Sequence, residues 1–504
     1  MNKFGVEHRA ISVSLVTGLS SLLSIIFQLI SVPVCLHFWG AEKYGVWLAI
    51  FTVSTMFRTI DGGFINFVGN RLNLLYHQDQ VELHRVLASS VIGVAVLGIV
   101  QISLVLFAAF GGGFSWLLGN DSSMAVHAES KALIILVLAW VLAGSYIGIV
   151  HRLLIPAGLM YQAAWWSMAY QASLFVALIV SAVGQLSLLS ACIVIAAAQS
   201  FVFITSALYI KRKLPDYYPW WKSMDWKTGK KNLFESWVFM FSGVLQQTST
   251  SGVVLLVSSL FGASLIPVFT TVRTMANLWN NVTATLTSPL LPDVIRYHAT
   301  QQTDKLLAVV QAHLWLIGGL VNVGVLIAYP FMLFAYGYWT KGQLLLDRPL
   351  LATLLVAVVL SNASALFNMY LSGINHTGAV ISLSILRVIF TFGIGIAFSR
   401  FGLFGIGIGI AAAEFICFVV AAFILFPSAL KMECGEFHWP RLEWVGFGLG
   451  CVVLFLFATI RNDNFPIALY CIAIIGLAIS IYMGWQQLDN EVKRRFVLLI
   501  HKYN

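Results

Sequence analysis

The stretch KRKLPDYYPWWKSMDWKTGKKNLFE, residues 211–235, is a polar linker between two series of long apolar runs. Fourteen runs are long enough to cross a bilayer as helices, which takes about 20 residues each. The sequence therefore predicts six helices, a linker, six further helices and a final pair. The runs are 11–35, 46–69, 86–110, 132–150, 167–185, 187–210, 236–260, 264–288, 309–335, 350–372, 378–398, 402–427, 443–460 and 465–485.

The composition excludes a soluble enzyme. Apolar residues make up 59% of the 504 residues, and charged residues only 10%. A soluble domain has about 45–50% apolar and about 25% charged residues. So few charges could not cover the surface of a soluble protein of this length. The chain is therefore predicted to be an all-α polytopic membrane protein.

We expect this membrane protein to have four parts. They are an N-terminal six-helix lobe (1–210), the basic and aromatic cytoplasmic linker (211–235), a C-terminal six-helix lobe (236–427), and peripheral helices 13 and 14 with a cytoplasmic tail (428–504). A faint internal echo supports the two halves, because FWGAEKYGVW (38–47) follows the first run and LFGASLIPVF (260–269) follows the seventh. Parallel repeats of this kind are typical of transporters, whose substrate site lies between the halves.

The net charge of +9 is explained by topology. If the N-terminus is inside, 20 of the 29 lysines and arginines fall in cytoplasmic segments and six in outer ones. Cytoplasmic loops carry such an excess, so we predict cytoplasmic termini and no nucleic-acid partner. The linker interleaves its lysines with Tyr217, Trp220 and Trp226. This mixture suits anionic lipid headgroups, and a solvated basic tether is an equal alternative.

Five of the predicted helices concentrate polar residues on one face or in their middle. Small polar residues also hold membrane helices together, so one stripe alone does not indicate a site. Five stripes together predict a hydrated internal cavity. Its candidate lining residues are Gln246 and Gln247 in the seventh run, Asn277 and Asn280 in the eighth, and Asn368 in the tenth.

Charged residues within the apolar runs are the strongest candidates for function, because a charge at the centre of a membrane helix costs about 2.5–3.5 kcal/mol. Arg58 and Asp61 are three residues apart and can neutralise each other on one face. Glu414 could pair with either Arg273 or Arg387. The five charges sum to +1. An arginine that faces a wet cavity suits an anionic ligand, and a lone acid there can carry a coupling proton.

Two motifs around the first loop resemble those of O-antigen and related polysaccharide translocases. The first consists of Gly40, Tyr44, Gly45 and Trp47 in a G-x-x-x-YG-x-W pattern, and the second is DGGF (61–64) with Arg71 beyond it. The six–linker–six plan is similar to that of the wider multidrug/oligosaccharidyl-lipid/polysaccharide exporter superfamily. The resemblance implies a MATE-like fold of two parallel-repeat six-helix lobes, here with a peripheral C-terminal pair.

The resemblance also implies a function, because that family consists of flippases. The expected cargo is an undecaprenyl-pyrophosphate-linked oligosaccharide, an O-antigen or related repeat unit, moved across the bacterial inner membrane by alternating access coupled to H+ or Na+. On the charge argument alone, Arg273 and Arg387 are the candidates for holding the pyrophosphate or acidic sugars. The Arg58–Asp61 pair is a candidate for gating or coupling, and Glu414 for the proton. Only Asp61 falls on a motif position.

We expect no cofactor and no metal site. The expected partners are anionic membrane lipids and the polysaccharide polymerase and chain-length regulator of the same pathway. Many such translocases have twelve helices, whereas a branch that acts on lipid-linked peptidoglycan precursors has fourteen. The helix count therefore leaves the lipid-linked substrate open.

Three other functions are considered. A multidrug extrusion antiporter of the same superfamily would need an acidic cavity for cationic drugs, whereas the charges here sum to +1. A membrane-embedded O-antigen polymerase or glycosyltransferase needs a sizeable loop or clustered acids, and the longest outer loop is only 111–131. A channel or scaffold is the third.

Overall fold

The structure is a computed structural model and describes residues 3–76, 78–110, 123–287, 290–374, 376–434, 443–461, 467–488 and 493. All regular secondary structure in these residues is helical. The earlier helices are α1 (Lys3–Leu75), α2 (Gln80–Phe110), α3 (Ser123–Ala139), α4 (Tyr146–His151), α5 (Met160–Val183), α6 (Leu188–Lys213), α7 (Trp226–Glu235), α8 (Trp237–Gln247) and α9 (Val253–Phe261). The later ones are α10 (Ile266–Thr287), α11 (Leu291–Ala299), α12 (Thr303–Trp339), α13 (Arg348–Gly373), α14 (Thr377–Ala397), α15 (Leu403–Val420), α16 (Phe426–Cys434), α17 (Glu443–Arg461) and α18 (Ile467–Gln487).

In the residues that the structure describes, each predicted apolar run lies largely on helix. Among the described residues, twelve helical segments are long and apolar enough to span a membrane. The first, Leu22–Leu75, has 54 residues, or about 80 Å of helix, which is more than two bilayer cores of about 30 Å. It therefore makes two crossings, and the more polar Ile266–Thr287 adds a further one of 22 residues. The prediction of an all-α membrane protein with about fourteen crossings is confirmed.

The long first helix bends at Gly40, and the internal echo bends in the same way. Gly40 has φ 75° and ψ 171°, and Gly262, directly after α9, has φ 84° and ψ 165°. Any side chain would strain a backbone with these angles, so both positions require glycine. These two glycines are the shared G of FWGAEKYGVW and LFGASLIPVF. A repeated backbone bend therefore matches the sequence echo, as a parallel repeat requires.

Contacts between residues divide the chain into two compact units. The first comprises Met1–Pro267 with Trp339–Gln343, and the second Val268–Tyr338 with Leu344–Asn504. Within the first unit α1 packs against α5 and α8, and α3 packs against α6. Its buried core joins the later part of α1 to the start of α2 through Phe64, Leu72 and Leu83. The lobe boundaries at the linker stay a prediction.

The linker contains a docked helix, α7. Asp225 caps it by accepting hydrogen bonds from the Thr228 hydroxyl at 2.6 Å and the Thr228 backbone N–H at 2.8 Å. These bonds hold the pKa of Asp225 below its usual range, so the cap stays charged. A Cβ at Gly229 would lie 2.8 Å from the carbonyl oxygen of Ser89. α7 therefore lies directly against α2, and this part of the linker is not a free tether.

A polar network fixes α7 to the ends of α1 and α2. Arg71, near the end of α1, donates to the Asn232 side chain at 2.8 Å and pairs with Glu235 at 3.1 Å. Glu82 of α2 lies 3.9 Å from Arg71 and 3.0 Å from Arg85. Because Arg71 contacts groups from both other helices, the three helix ends are held as one assembly.

The second unit is built around α13, of whose most apolar stretch 89% is buried. α14 and α15 pack on each other through glycines. A Cβ at Gly409 would lie 2.7 Å from the backbone nitrogen of Gly395, so these two helices touch backbone to backbone. α17 packs against α13, and the Trp315 indole of α12 donates to the Ile481 carbonyl of α18 at 2.9 Å.

Candidate functional site

A polar cavity of about 580 Å³ lies within the first unit. Its walls come from α1 beyond the Gly40 bend, from α4 and the helical turns on either side of it, and from α8. Among the described residues that line it, none is acidic. The cavity therefore carries a positive charge and neutral hydrogen-bonding groups. Its polar lining consists of Arg58, Thr59, Asn66, Trp140, Arg152, Ser242, Gln246 and Gln247.

Arg58 is held in this wall by partners from other helices. Its Nη1 donates to the Tyr170 hydroxyl at 2.5 Å, and its Nη2 donates to Gln199 Oε1 at 3.2 Å. Its guanidinium carbon lies 5.2 Å from the centroid of the Trp140 ring, a cation–π distance. The Nε of Arg58 is buried without a hydrogen-bond partner in the described structure. One donor of the group is therefore buried and unpaired among the described residues.

Asp61 does not form the direct ion pair with Arg58 that the spacing of three permits, as far as the described residues show. The two are joined through Trp140 instead, whose indole N–H donates to Asp61 Oδ2 at 3.0 Å. The Ser145 hydroxyl also donates to Asp61 Oδ2. The carboxylate is fully buried. Arg58 bonds to α5 and α6 instead of to Asp61. Trp140 lies between the two charged groups and contacts both.

A π-helical turn, Trp140–Ser145, explains why two donors reach one carboxylate. In a π-helix the bonding pattern runs from residue i to i+5, so residues five apart lie above each other. Trp140 and Ser145 therefore face Asp61 together, which a regular α-helix would not allow. Gly144 leaves room for the Trp140 ring, because a Cβ there would overlap it. A second π-helical turn, Thr248–Gly252, follows Gln247 directly.

The DGGF motif places each residue differently. Asp61 is buried as described, and Gly62 lines the cavity with nothing within 4 Å of where a Cβ would lie. A Cβ at Gly63 would lie 2.5 Å from the Met240 backbone, so this glycine lets α1 cross α8 closely. Phe64 is fully buried in the core. Four consecutive residues thus supply a buried charge (Asp61), a part of the cavity wall (Gly62), a close helix crossing (Gly63) and a core side chain (Phe64).

Arg152 is a cavity residue, although its position just after an apolar run indicates only a cytoplasmic loop charge. Its side chain lies along Gly69, where a Cβ would be 2.8 Å from Arg152 Cδ. Its Nη2 donates to Asn66 Oδ1. A signal for this wall was present in the sequence, because Arg58, Gly62 and Asn66 are spaced by four and share one helical face. Asn66 was missed because it is a lone amide near the end of its run.

The predicted glutamines of the seventh run do reach this cavity. Gln246 and Gln247 line it, and Gln247 donates to Ser251 Oγ at 2.6 Å across the π-helical turn. The structure therefore brings together Arg58, Gln246 and Gln247 from the predicted set, with Asp61 next to them behind Trp140.

The other predicted charges lie in the second unit. Arg387 of α14 and Glu414 of α15 form a two-point ion pair, Nε to Oε1 at 2.8 Å and Nη2 to Oε2 at 3.2 Å. The open question of Glu414's partner is therefore answered in favour of Arg387. The Arg273 guanidinium lies 5.9 Å from the centroid of the Phe269 ring, and Glu414 also acts on it electrostatically.

Of the predicted asparagines of the second unit, Asn280 forms a contact between helices, whereas Asn277 and Asn368 have bonds within their own helices. Asn280 donates to Asn277 Oδ1 at 3.1 Å, and Asn362 of α13 donates to Asn280 Oδ1 at 2.8 Å. Asn368 donates to Ser364 Oγ at 3.3 Å. The contact between α10 and α13 is what polar residues between membrane helices commonly provide. Asn362 was not predicted from the sequence, because only the packing of α13 beside α10 shows that its side chain contacts Asn280.

Several solved structures with this architecture are MATE transporters, and one is a lipid flippase. A MATE family multidrug resistance transporter of the MOP superfamily, inward-facing, aligns with a TM-score of 0.64 and 16% identity over 81% of this chain and 95% of its own. The lipid II flippase MurJ, in an inward closed conformation, aligns with a TM-score of 0.65 and 14% identity over 93% of this chain and 97% of its own. A MATE in the straight conformation aligns with 0.57 and 15%, over 85% and 96%. The chain has the fold of MATE and MurJ.

No protein-family model matches the sequence, and no curated protein sequence does. At 14–16% identity the likeness establishes the fold alone. The predicted MATE-like architecture of a multi-pass membrane protein is confirmed. Membership of the O-antigen translocases stays a prediction that rests on the two motifs.

Proposed function

We propose that this protein is a flippase for an anionic, lipid-linked oligosaccharide. The observation that carries the proposal is the cavity of the first unit, which Arg58 and Arg152 line and which has no acid among its described lining residues. Guanidinium groups bind phosphate oxygens through paired hydrogen bonds. The fold shared with the lipid II flippase MurJ supports the same function.

The cavity suits the head of such a lipid. Its volume of about 580 Å³ is within the range of about 300–1,000 Å³ usual for small-molecule sites. The two arginines would bind the pyrophosphate, and Asn66, Gln246 and Gln247 would hydrogen-bond the first sugars. We propose an undecaprenyl-pyrophosphate-linked repeat unit of O-antigen or a related polysaccharide, flipped by alternating access across the bacterial inner membrane, with both termini cytoplasmic. The polymerase and chain-length regulator of the same polysaccharide would act on the product.

Asp61 is the proposed coupling residue. Its carboxylate accepts from the same indole whose ring face Arg58 contacts. Binding of a proton or Na+ at Asp61 would weaken its hold on the Trp140 N–H. Because Arg58 rests on that ring, the change would reach the cavity wall. Ion binding and cargo binding are thereby linked through one side chain.

The arginines of the second unit have unequal roles in this proposal. Glu414 already occupies the fork of Arg387 at 2.8 and 3.2 Å, so this arginine has less capacity left for a phosphate. Arg273 remains a candidate contact for the cargo. Glu414 is the weaker candidate for a coupling site than Asp61, because its charge is already balanced by Arg387.

A multidrug extrusion antiporter is the second candidate, since MATE transporters share the fold. A cavity that binds cationic drugs is expected to present acids. The cavity described here presents two arginines instead. This observation favours the anionic cargo.

Replacement of Arg152 tests the proposal. Arg152→Gln keeps a polar side chain but removes the charge, and a hydrogen bond to a charged group contributes about 1.5–3 kcal/mol. We therefore expect purified Arg152→Gln to bind undecaprenyl pyrophosphate about 10- to 100-fold more weakly than the wild type. Flipping of the lipid-linked oligosaccharide in proteoliposomes should fall in parallel.

Arg400→Gln is the matched control, because Arg400 is exposed in the turn after α14 and does not line the cavity. Its binding and flipping should equal those of the wild type. Unchanged affinity in Arg152→Gln would refute the proposed site. Tighter binding of a cationic drug than of undecaprenyl pyrophosphate by the wild type would favour the antiporter.

A further inference from the structure

The helix α7 presents a face that nothing in the described structure covers. Trp226 and Phe234 are 63% and 77% exposed, and Lys227, Lys230 and Lys231 are exposed between them. At 100° per residue these five positions fall on one side of a helix. Gly229 and Asn232, on the other side, are buried. The face is therefore a surface of three lysines with an aromatic residue at each end, which we call the α7 face.

The contacts of α7 with α2 show how deep α7 lies relative to the apolar, membrane-spanning part of α2. The Asp225 backbone N–H donates to Ser89 Oγ at 2.9 Å, and Gly229 lies against Ser89 and Ile92. Ser89 is nine residues after the first residue of α2, Gln80, or about 13 Å along the helix. It is also within the first turn of the apolar part of α2, which begins at 86. α7 therefore lies beside the point where α2 becomes apolar.

The other end of α7 gives the same depth. α8 begins with Trp237, and the candidate membrane span Trp237–Phe261 starts at this residue. Trp237 is 52% exposed. α7 lies beside the start of the apolar part of α2 and directly before the start of the α8 span. A helix in this position is at the level of the lipid headgroups. Tryptophan is enriched at that level because its ring is apolar and its N–H is polar.

The positive charges of the α7 face are only partly neutralised by neighbouring acidic side chains among the described residues. Lys231 lies 3.8 Å from Glu235, and it is the one lysine of the three with an ion pair among the residues that the structure describes. Glu235 is itself engaged by Arg71 at 3.1 Å. The face is thus net positive at the headgroup level. A basic segment in this position attracts anionic lipids by about 1 kcal/mol per lysine or arginine.

We infer that the α7 face binds anionic phospholipid headgroups, with Lys227, Lys230 and Lys231 on the phosphates and Trp226 and Phe234 in the outer acyl region. The occupant is a bilayer lipid, because the aromatic residues flank the charges and α7 is fixed at the membrane level. Arg71 ties this helix to the end of α1, five residues beyond the cavity residue Asn66. The bound lipid therefore holds an element that continues into the cavity wall. This inference does not depend on the identity of the cargo.

The test uses the full-length protein in nanodiscs of phosphatidylcholine alone or of an equal mixture with phosphatidylglycerol. Amide hydrogen exchange over residues 222–237 should be slower in the anionic discs. In detergent, short-chain phosphatidylglycerol should bind the triple variant K227Q/K230Q/K231Q roughly 100-fold more weakly than the wild type, about fivefold for each lysine. The variant K227R/K230R/K231R keeps the charges and should bind like the wild type.

The matched control, R296Q/K305Q/K341Q, removes three exposed cationic residues elsewhere and should keep the full response to phosphatidylglycerol. The inference is overturned if K227Q/K230Q/K231Q keeps the response or if the control loses it equally. It is also overturned if phosphatidylcholine alone protects 222–237 as well. Equal protection by inorganic phosphate in detergent would show a site for free anions and not for a lipid. W226S/F234S should lose protection in nanodiscs, and full protection there would overturn the assignment to the bilayer.

Discussion

At the scale of single residues, Trp140 makes two separable contacts. Its N–H bonds the carboxylate of Asp61 at 3.0 Å, and its ring face contacts the Arg58 guanidinium. A donor and an aromatic face on one side chain can be removed one at a time. This makes the proposed coupling between ion binding and cargo binding accessible to mutation.

Trp140→Phe removes the N–H and keeps an aromatic ring. We expect this variant to bind undecaprenyl pyrophosphate like the wild type, because Arg58 keeps a ring to rest on. Its flipping in proteoliposomes should no longer respond to an imposed H+ or Na+ gradient. Trp140→Leu removes both contacts and should lose binding as well. A Trp140→Phe protein that still responds fully to the gradient would contradict the coupling role of Asp61.

Several cavity residues could be predicted from the sequence and others could not. Gln246 and Gln247 were predicted as cavity residues, and Arg58 as a gating or coupling residue, because polar and charged groups within apolar runs cost free energy. Arg152 was missed since it lies just beyond its run, where a charge also serves membrane orientation. The role of Trp140 could not be predicted, because it depends on a π-helical turn 79 residues from Asp61 in sequence.

At the scale of helices, the pair Arg387–Glu414 joins α14 to α15. Both side chains are largely buried, 22% and 13% exposed. Removing one partner of a buried pair leaves an uncompensated charge and costs about 3–5 kcal/mol. Because each residue's main charge partner is the other, the effects of the two replacements should not be additive.

A double-mutant cycle with Arg387→Gln and Glu414→Gln measures this interaction. Each single variant should be less stable by about 3–5 kcal/mol. The double variant should be more stable than the sum of the singles implies, with a coupling of about 0.5–3 kcal/mol. Denaturant unfolding of the purified protein in detergent is the measurement. Additive losses would mean that the two charges do not stabilise each other.

Helices were predicted more completely than the contacts between them. The fourteen runs were predictable because a chain in lipid must satisfy its backbone within helices. Glu414 lies 27 residues from Arg387, so no spacing rule connects them. α7 was not predicted as a helix, although Asp225 with Thr228 three residues later is a capping signal. Its many lysines and aromatic residues predicted contact with lipid and not a particular secondary structure.

At the scale of the whole molecule, the crossing count fixes which segments share a side of the membrane. Three crossings lie between positions 125 and 225, provided by α3 with α4, by α5 and by α6. An odd number of crossings places the two positions on opposite sides. The positive-inside bias predicts that position 225 is on the cytoplasmic side.

Reporter fusions test this topology in cells. A reporter active only in the cytoplasm should be active when fused at 225 and inactive at 125. A reporter active only outside should show the reverse. Fusions at 124 and 226 serve as neighbouring controls against local effects of the junction. Activity of the same reporter at both positions would contradict the assignment of fourteen crossings.

Gly69 has a consequence for any genetic screen of this protein. The Arg152 side chain occupies the space where a Cβ at Gly69 would lie, 2.8 Å from Cδ. Every replacement of Gly69 would therefore force the Arg152 side chain to shift while Arg152 itself is unchanged. If Arg152 binds the cargo as proposed, such alleles would insert into the membrane and fail in transport, and a screen would score them as cargo-binding mutants. The set of alleles that abolish transport will thus be wider than the set of residues that touch the cargo.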